Sequence, residues 1–107
     1  MRILLDECVP RPLKRELVGH DVHTVIDMGW GGKTNGELLQ LMLPAKFDAF
    51  LTVDQNLSYQ QNLTAAGVAV IVLVARSNKL ADLLPLVPSA LAALASAKPG
   101  AVVEIDH

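Results

Sequence analysis

Val68-Ala69-Val70-Ile71-Val72-Leu73-Val74 is a run of seven apolar residues, four of them valine. β-Branched side chains pack well on a pleated surface and are stiff at χ1, so the run favours an extended chain. It shows no apolar–polar alternation. Both of its faces must therefore be buried, which is the pattern of an interior strand in a parallel sheet. Polar residues begin just where the run stops, at Arg76, Ser77 and Asn78.

Four weaker segments of the same kind flank it. They are Ile3-Leu4-Leu5, then Val22-His23-Thr24-Val25-Ile26, then the stretch 48–53 (Asp48-Ala49-Phe50-Leu51-Thr52-Val53), and the stretch 101–105 near the end. Helical segments separate them. Pro10 and Pro12 belong at the start of a helix, with Leu13 and Leu17 on one face and Gly19 ending it. Gly29, Gly31 and Gly32 form a loop around Trp30. Thr34-Asn35-Gly36-Glu37 opens a second helix, striped by Leu38, Leu41 and Met42 and closed by Pro44. Residues 57–65 read as a short helix stopped by Gly67. Leu80, Leu83, Leu84, Val87, Leu91 and Leu94 share one face of a helical segment, kinked or split near Pro85 and Pro88. This alternation predicts an α/β fold in three layers (α/β/α), with a central, mainly parallel sheet of about five strands. There is no internal repeat and no linker, so residues 1–107 read as a single domain.

The 107 residues are 51% hydrophobic and 19% charged, which excludes a disordered or low-complexity chain. Nine Lys and Arg against eleven Asp and Glu give a net charge of -2, unlike a strongly basic nucleic-acid binder, although a local basic patch is compatible with it. Cys8 is the single cysteine, so a disulfide scaffold is excluded. Met1-Arg2-Ile3-Leu4-Leu5 meets Asp6 and Glu7 at once and does not read as a signal peptide. The apolar stretch 80–97 is interrupted by Asp82, Pro85 and Pro88, and does not read as a membrane span. The expectation is a soluble, cytoplasmic protein.

The polar residues collect by position. Asp6 and Glu7 follow the first strand, Asp54 follows the third, and Arg76, Ser77 and Asn78 follow the fourth. In a parallel sheet these ends lie along one edge, where open α/β sheets bind ligands. Glu37, in the first turn of a helix after a strand, falls at the same edge. Carboxylates gathered in one cleft repel unless a cation neutralises them. Mg2+ takes one or two carboxylates together with waters and phosphate oxygens, and no His or Cys cluster has zinc spacing. A hard-cation site is the sharper reading.

Each residue also has a plain structural reading. Asp54 fits a helix cap before Gln55-Asn56-Leu57, and Thr34-x-x-Glu37 matches a capping box. Asp6, directly after a buried strand, must be paired, capped or wet. Glu7 fits solvent equally well. Arg76 suits a substrate phosphate or an ion pair with one of the acids. Cys8 reads as a small buried hydrophobe. Trp30 suits a stacked base or a covered core edge. Asp27 ends the second strand as one more carboxylate. Lys14 and Arg15 read as a solvated helix face. With Arg11, Lys33, Arg76 and Lys79 they make a basic rim only if the fold gathers them.

Met1-Arg2-Ile3-Leu4-Leu5-Asp6-Glu7-Cys8-Val9-Pro10 resembles the opening of the bacterial PIN-like domains of unknown function. These are related to the nuclease toxins of toxin–antitoxin pairs. Met28-Gly29-Trp30, Asn35-Gly36-Glu37-Leu38-Leu39, Leu51-Thr52-Val53-Asp54-Gln55-Asn56-Leu57 and Ala75-Arg76-Ser77-Asn78 fit the same family. The resemblance implies a PIN-like α/β fold and an acidic cluster that holds Mg2+ or Mn2+ and cleaves RNA. The positions that match are Asp6, Glu37 and Asp54, with Glu7 as a further metal ligand. Arg76, Asn56, Asn78 and Lys33 are the candidate substrate contacts. An antitoxin protein and a homodimer are the partners such a domain would have. The chain departs from the family where some relatives carry an acid at the place of Asn35, and where many carry one near the end of the fourth strand.

Two other readings compete. One is a PIN-like scaffold without catalysis, which binds a partner only. The other is a receiver-like signalling module phosphorylated on Asp54, with Ser77 as the hydroxyl after the fourth strand. A receiver needs a lysine after its fifth strand, and Val102-Val103-Glu104-Ile105-Asp106 offers none.

Overall fold

Alternate residues of the interior strands go to opposite sides of one sheet, and this parity divides the core. The computed structural model describes residues 1–55 and 67–106. Their elements, in order, are β1 (Arg2–Leu5), the 3₁₀ helix η1 (Arg11–Glu16), β2 (Asp21–Thr24), α1 (Asn35–Met42), β3 (Ala49–Thr52) and β4 (Ala69–Val74). Then come α2 (Leu80–Leu83), the 3₁₀ turn η2 (Leu84–Leu86), α3 (Val87–Ser96) and β5 (Val102–Asp106). The helix expected over 57–65 lies outside the described residues, as does Asn56.

The five strands form one sheet in the order β2-β1-β3-β4-β5, and every pairing is parallel. The expected α/β class and parallel sheet are what the structure has. β1 lies between β2 and β3, with Leu5 opposite Thr24 on one side and Leu51 on the other. The chain steps from β1 to β2 in one direction and then returns to the far side of β1 for β3. The strand order therefore reverses between β1 and β3, and this is the place where such sheets leave a crevice at their carboxyl ends.

Ile3, Leu5, Ala49, Leu51, Ile71 and Leu73 face one hydrophobic cluster. Leu13 and Leu17 join it from the η1 segment, with Leu83, Leu86, Val87, Ala90 and Leu94 from the late helices. Leu4, Phe50, Val70 and Val72 face a second cluster, filled by Leu38, Leu39 and Met42 of α1 and by Phe47. All four residues of β3 are buried, which accounts for the apolar run Ala49-Phe50-Leu51, and only Thr52 at its end carries a polar group.

Three details differ from the expectation. The first helix is 3₁₀ rather than α, six residues long with a proline in its first turn. Gly19 follows it at φ +88°, a conformation that glycine reaches without a Cβ clash. In α1 the buried stripe is Leu38, Leu39 and Met42, with Leu41 only half-buried. The late helical segment is split where expected. Pro85 falls in η2 and Pro88 in the first turn of α3, where a missing N–H costs no helical bond. The change of pitch through η2 turns Leu84 out to solvent.

Candidate functional site at the carboxyl end of β1 and β3

Asp6 is placed by the sheet itself. Its N–H donates to the Leu51 carbonyl at 3.0 Å, extending the β1–β3 ladder by one residue past β1. The residue is only 8% exposed. A carboxylate so buried must be given hydrogen bonds in place of water. Three neutral donors supply them. The Glu7 N–H reaches Oδ1 at 2.8 Å, the Thr52 hydroxyl reaches Oδ2 at 2.7 Å, and the Cys8 thiol reaches Oδ2 at 3.4 Å. The described ion pairs lie elsewhere, on Asp21 and Asp27.

Thr52 is the hinge of the arrangement. It is fully buried at the end of β3, and its hydroxyl also accepts the Asp54 N–H at 3.0 Å. One hydroxyl therefore joins the Asp6 carboxylate to the backbone that carries Asp54. Asn35, the first residue of α1, donates its amide N–H to Asp54 Oδ2 at 3.1 Å. The sequence signal for Thr52 was present: it is a hydroxyl in the otherwise apolar run Ala49-Phe50-Leu51-Thr52-Val53. Asn35 is marked in the sequence only as a place where some relatives of the resembled family carry an acid, and its bond to Asp54 has no signal there.

The remaining acids have local duties. Glu37 forms a complete capping box with Thr34. Its carboxylate accepts the Thr34 N–H and hydroxyl, each at 3.0 Å, and its own N–H donates back to the Thr34 hydroxyl. Those bonds, with the Lys33 charge nearby, hold the Glu37 carboxyl below its ordinary range. Glu7 is exposed, and its Oε1 accepts the Gly32 N–H at 2.7 Å, tying the glycine loop to the end of β1. Asp27 pairs with Arg11 at 2.9 Å and with Lys14 at 3.2 Å. The Thr24 N–H above all, and then Lys14, hold the Asp27 carboxyl far below the usual carboxylate range. Among the described residues, no three His, Cys, Asp or Glu side chains come together as a group able to hold a metal. The structure joins Asp6 to Asp54 through Thr52, and it leaves Glu7 and Glu37 out of that group.

The other candidates are distributed along the same edge. Asn78 donates to the Cys8 carbonyl at 3.1 Å, so the loop after β4 leans on the loop after β1. The Ser77 hydroxyl donates to Asp82 and accepts the Lys79 N–H. Arg76 is exposed and lines a separate cleft of about 420 Å³ with Asp82 and Asp106. Lys33 is exposed beside the capping box. Trp30 packs edge-on against Phe47, with ring centres 5.9 Å apart, and covers the α1 side of the core. The Cys8 thiol is half-buried, and burial, followed by the Asp6 charge, pushes its pKa up.

Asp6 and Asp54 supply hard oxygen donors of the kind Mg2+ prefers, and two carboxylates are as many as that ion commonly takes from a protein. On the β2 side, Asp6 and Glu7 also border a cleft of about 310 Å³ with Val9, Pro10, Arg11, Thr24, Val25 and Ile26.

The chain matches no family model, no curated protein and no solved structure. Among the described residues, no helix is long and apolar enough to cross a membrane.

Proposed function

We propose that the chain is a PIN-like, divalent-cation-dependent phosphodiester hydrolase acting on RNA, with Asp6 and Asp54 as its metal-holding pair. The observation that carries this reading is the buried Thr52 hydroxyl, which donates to the Asp6 carboxylate and accepts the Asp54 N–H at the strand-order reversal. A carboxylate buried at a crevice among neutral donors is suited to meeting a cation that arrives with its substrate. Mg2+ or Mn2+ held there would neutralise phosphate charge and favour ionisation of an attacking water.

The chain's own residues do the positioning. Thr52 and the Glu7 N–H fix the two Asp6 oxygens, so that little reorganisation is needed when substrate binds. Asn35 orients the Asp54 carboxylate from the start of α1. The Thr34–Glu37 capping box holds that helix start in place, which makes Glu37 a positioning residue in this account. Asn78 braces the loop that carries Cys8. The test is RNA cleavage with added Mn2+. Asp6→Asn and Asp54→Asn should each abolish it, whereas cleavage undiminished in both variants would overturn the assignment.

One observation favours a second reading. The order β2-β1-β3-β4-β5 is the doubly wound order that receiver domains share, with an aspartate after β3. Against it, the Ser77 hydroxyl is engaged with Asp82, and Lys98 precedes β5 rather than following it. Incorporation of phosphate at Asp54 from acetyl phosphate would support the receiver reading, and its absence would end it.

A further inference from the structure

The segment η1 carries a cationic hollow that the hydrolytic site does not use. Arg11, Pro12, Lys14 and Arg15 border a depression of about 240 Å³, and every charged group lining it is a cation. Residues three apart eclipse on a 3₁₀ helix, so Arg11 and Lys14 stand one above the other. Asp27 holds both, one on each carboxylate oxygen. Asp27 is fixed in turn by Thr24, whose N–H donates to it at 3.0 Å and whose hydroxyl accepts its N–H at 2.9 Å. This clamp reduces the rotamer freedom that a bound anion would otherwise have to freeze. It uses only part of the donor capacity of a guanidinium and an ammonium. One negative charge against three positive ones leaves the hollow basic, although the chain as a whole carries -2. Glu16 is exposed on the same short helix but does not line the hollow.

Arg11 also lines the cleft that ends on Asp6 and Glu7. The two depressions therefore meet at Arg11, which lines both. On one side of Arg11 lie the cations of η1; on the other, Val9, Pro10, Val25 and Ile26 give the second cleft apolar walls, with Asp6 at its border. Ile26 is 62% exposed on that wall, an apolar surface offered to solvent. A lone phosphate would fill only the cationic side. A polymer with phosphates at regular spacing and flat apolar bases matches the cations on one side of Arg11 and the apolar walls on the other.

We infer that η1 is a phosphate-backbone track that seats single-stranded RNA upstream of the β1–β3 site, with Arg11, Lys14 and Arg15 on the phosphates and Ile26 against a base. The inference rests on the hydrolase reading for the Asp6 side of Arg11, but seating the strand needs no hydrolysis.

The experiment measures binding of a fluorescent oligouridylate of about a dozen nucleotides to the full chain, in chelator, over a salt series. Removing one cation from the phosphates should lower the slope of log K against log salt by about 0.7. Arg11→Gln, Lys14→Gln and Arg15→Gln should each do so. The triple variant should bind roughly tenfold or more weakly at low salt. Arg15 takes part in none of the described ion pairs, so Arg15→Gln tests the track without disturbing the Asp27 clamp. Lys98→Gln, before β5, should leave the slope unchanged. Slopes equal to the parent's in all three η1 variants would overturn the track, and so would a poly-glutamate peptide that binds as tightly as the oligouridylate. Mn2+-dependent cleavage surviving in those variants would leave the hydrolase reading intact. A reduced slope in the variants of a chain that cleaves nothing would instead uphold the track and remove the hydrolase.

Discussion

The Thr52 hydroxyl lies 2.7 Å from Asp6 Oδ2, across 46 residues of chain, and both side chains are buried. The pair exists because β1 and β3 are neighbours in register, with Leu5 opposite Leu51. A one-residue slip of β3 would turn Thr52 to the other face and leave the carboxylate without that donor.

Replacing Thr52 with valine keeps the shape and removes the hydroxyl. Asp6 then loses a donor and the Asp54 N–H loses an acceptor, inside the protein. The loss expected for stranding buried polar groups is about 1–3 kcal/mol, read as a lower urea midpoint at unchanged slope. Thr52→Ser, which keeps the hydroxyl, should lose less. A valine variant as stable as the parent would remove Thr52 from its bridging role.

Cys8 should be a slow nucleophile at neutral pH. Burial raises its pKa, and the Asp6 charge adds to this. The thiolate is the reactive form, so iodoacetamide labelling should be slower than for a free thiol, with its pH midpoint displaced upward. Asp6→Asn removes the charge and should move that midpoint down toward the ordinary thiol value. An unshifted midpoint would mean that Asp6 does not act on Cys8.

Asp27 sets an acid limit on stability. Its carboxyl is held far below the usual range by the Thr24 N–H, with Lys14 and Arg11 assisting. A depressed folded-state pKa means that the unfolded chain binds the proton first, so the contribution is present at neutral pH. It declines as pH falls from about 4, the unfolded carboxylate value, down through the lower folded value. The Glu37 carboxyl, also depressed, acts in the same direction. Asp27→Asn should flatten the acid limb of a plot of stability against pH. An acid limb as steep as the parent's would assign the loss to other groups.

The strands were legible because five apolar segments stood between glycine, proline and polar breaks, and parallel pairing needs no finer signal. The meeting of Asp6 and Asp54 at one edge followed from the same logic, since Asp6 comes directly after β1 and Asp54 two residues past the end of β3. What each acid holds was harder to read. Glu37 fitted a cap and a ligand equally, and the bonds from Thr34 show it acting as the cap. Glu7 and Asp27 take partners, Gly32 and Arg11, whose positions depend on loop conformations that composition does not encode. The choice of Leu39 over Leu41 in α1 depended on the angle at which an eight-residue helix meets the sheet. Periodicity over two turns does not fix that angle.

Thr34→Ala removes the cap that steadies the start of α1 and, with it, Asn35. Removing an N-cap hydroxyl costs about 1 kcal/mol, measurable by thermal or urea unfolding. Glu37→Gln should weaken the cap but leave cation binding in place, because Glu37 is engaged with Thr34. Cation binding abolished by Glu37→Gln would return Glu37 to the ligand set.

The central claim is that Asp6 and Asp54 together hold a divalent cation, and calorimetric titration of Mn2+ tests it most directly. The parent should show saturable binding that Asp6→Asn and Asp54→Asn each abolish and Glu37→Gln preserves. Absence of Mn2+ binding to the parent, or equal binding by all four proteins, would contradict the account.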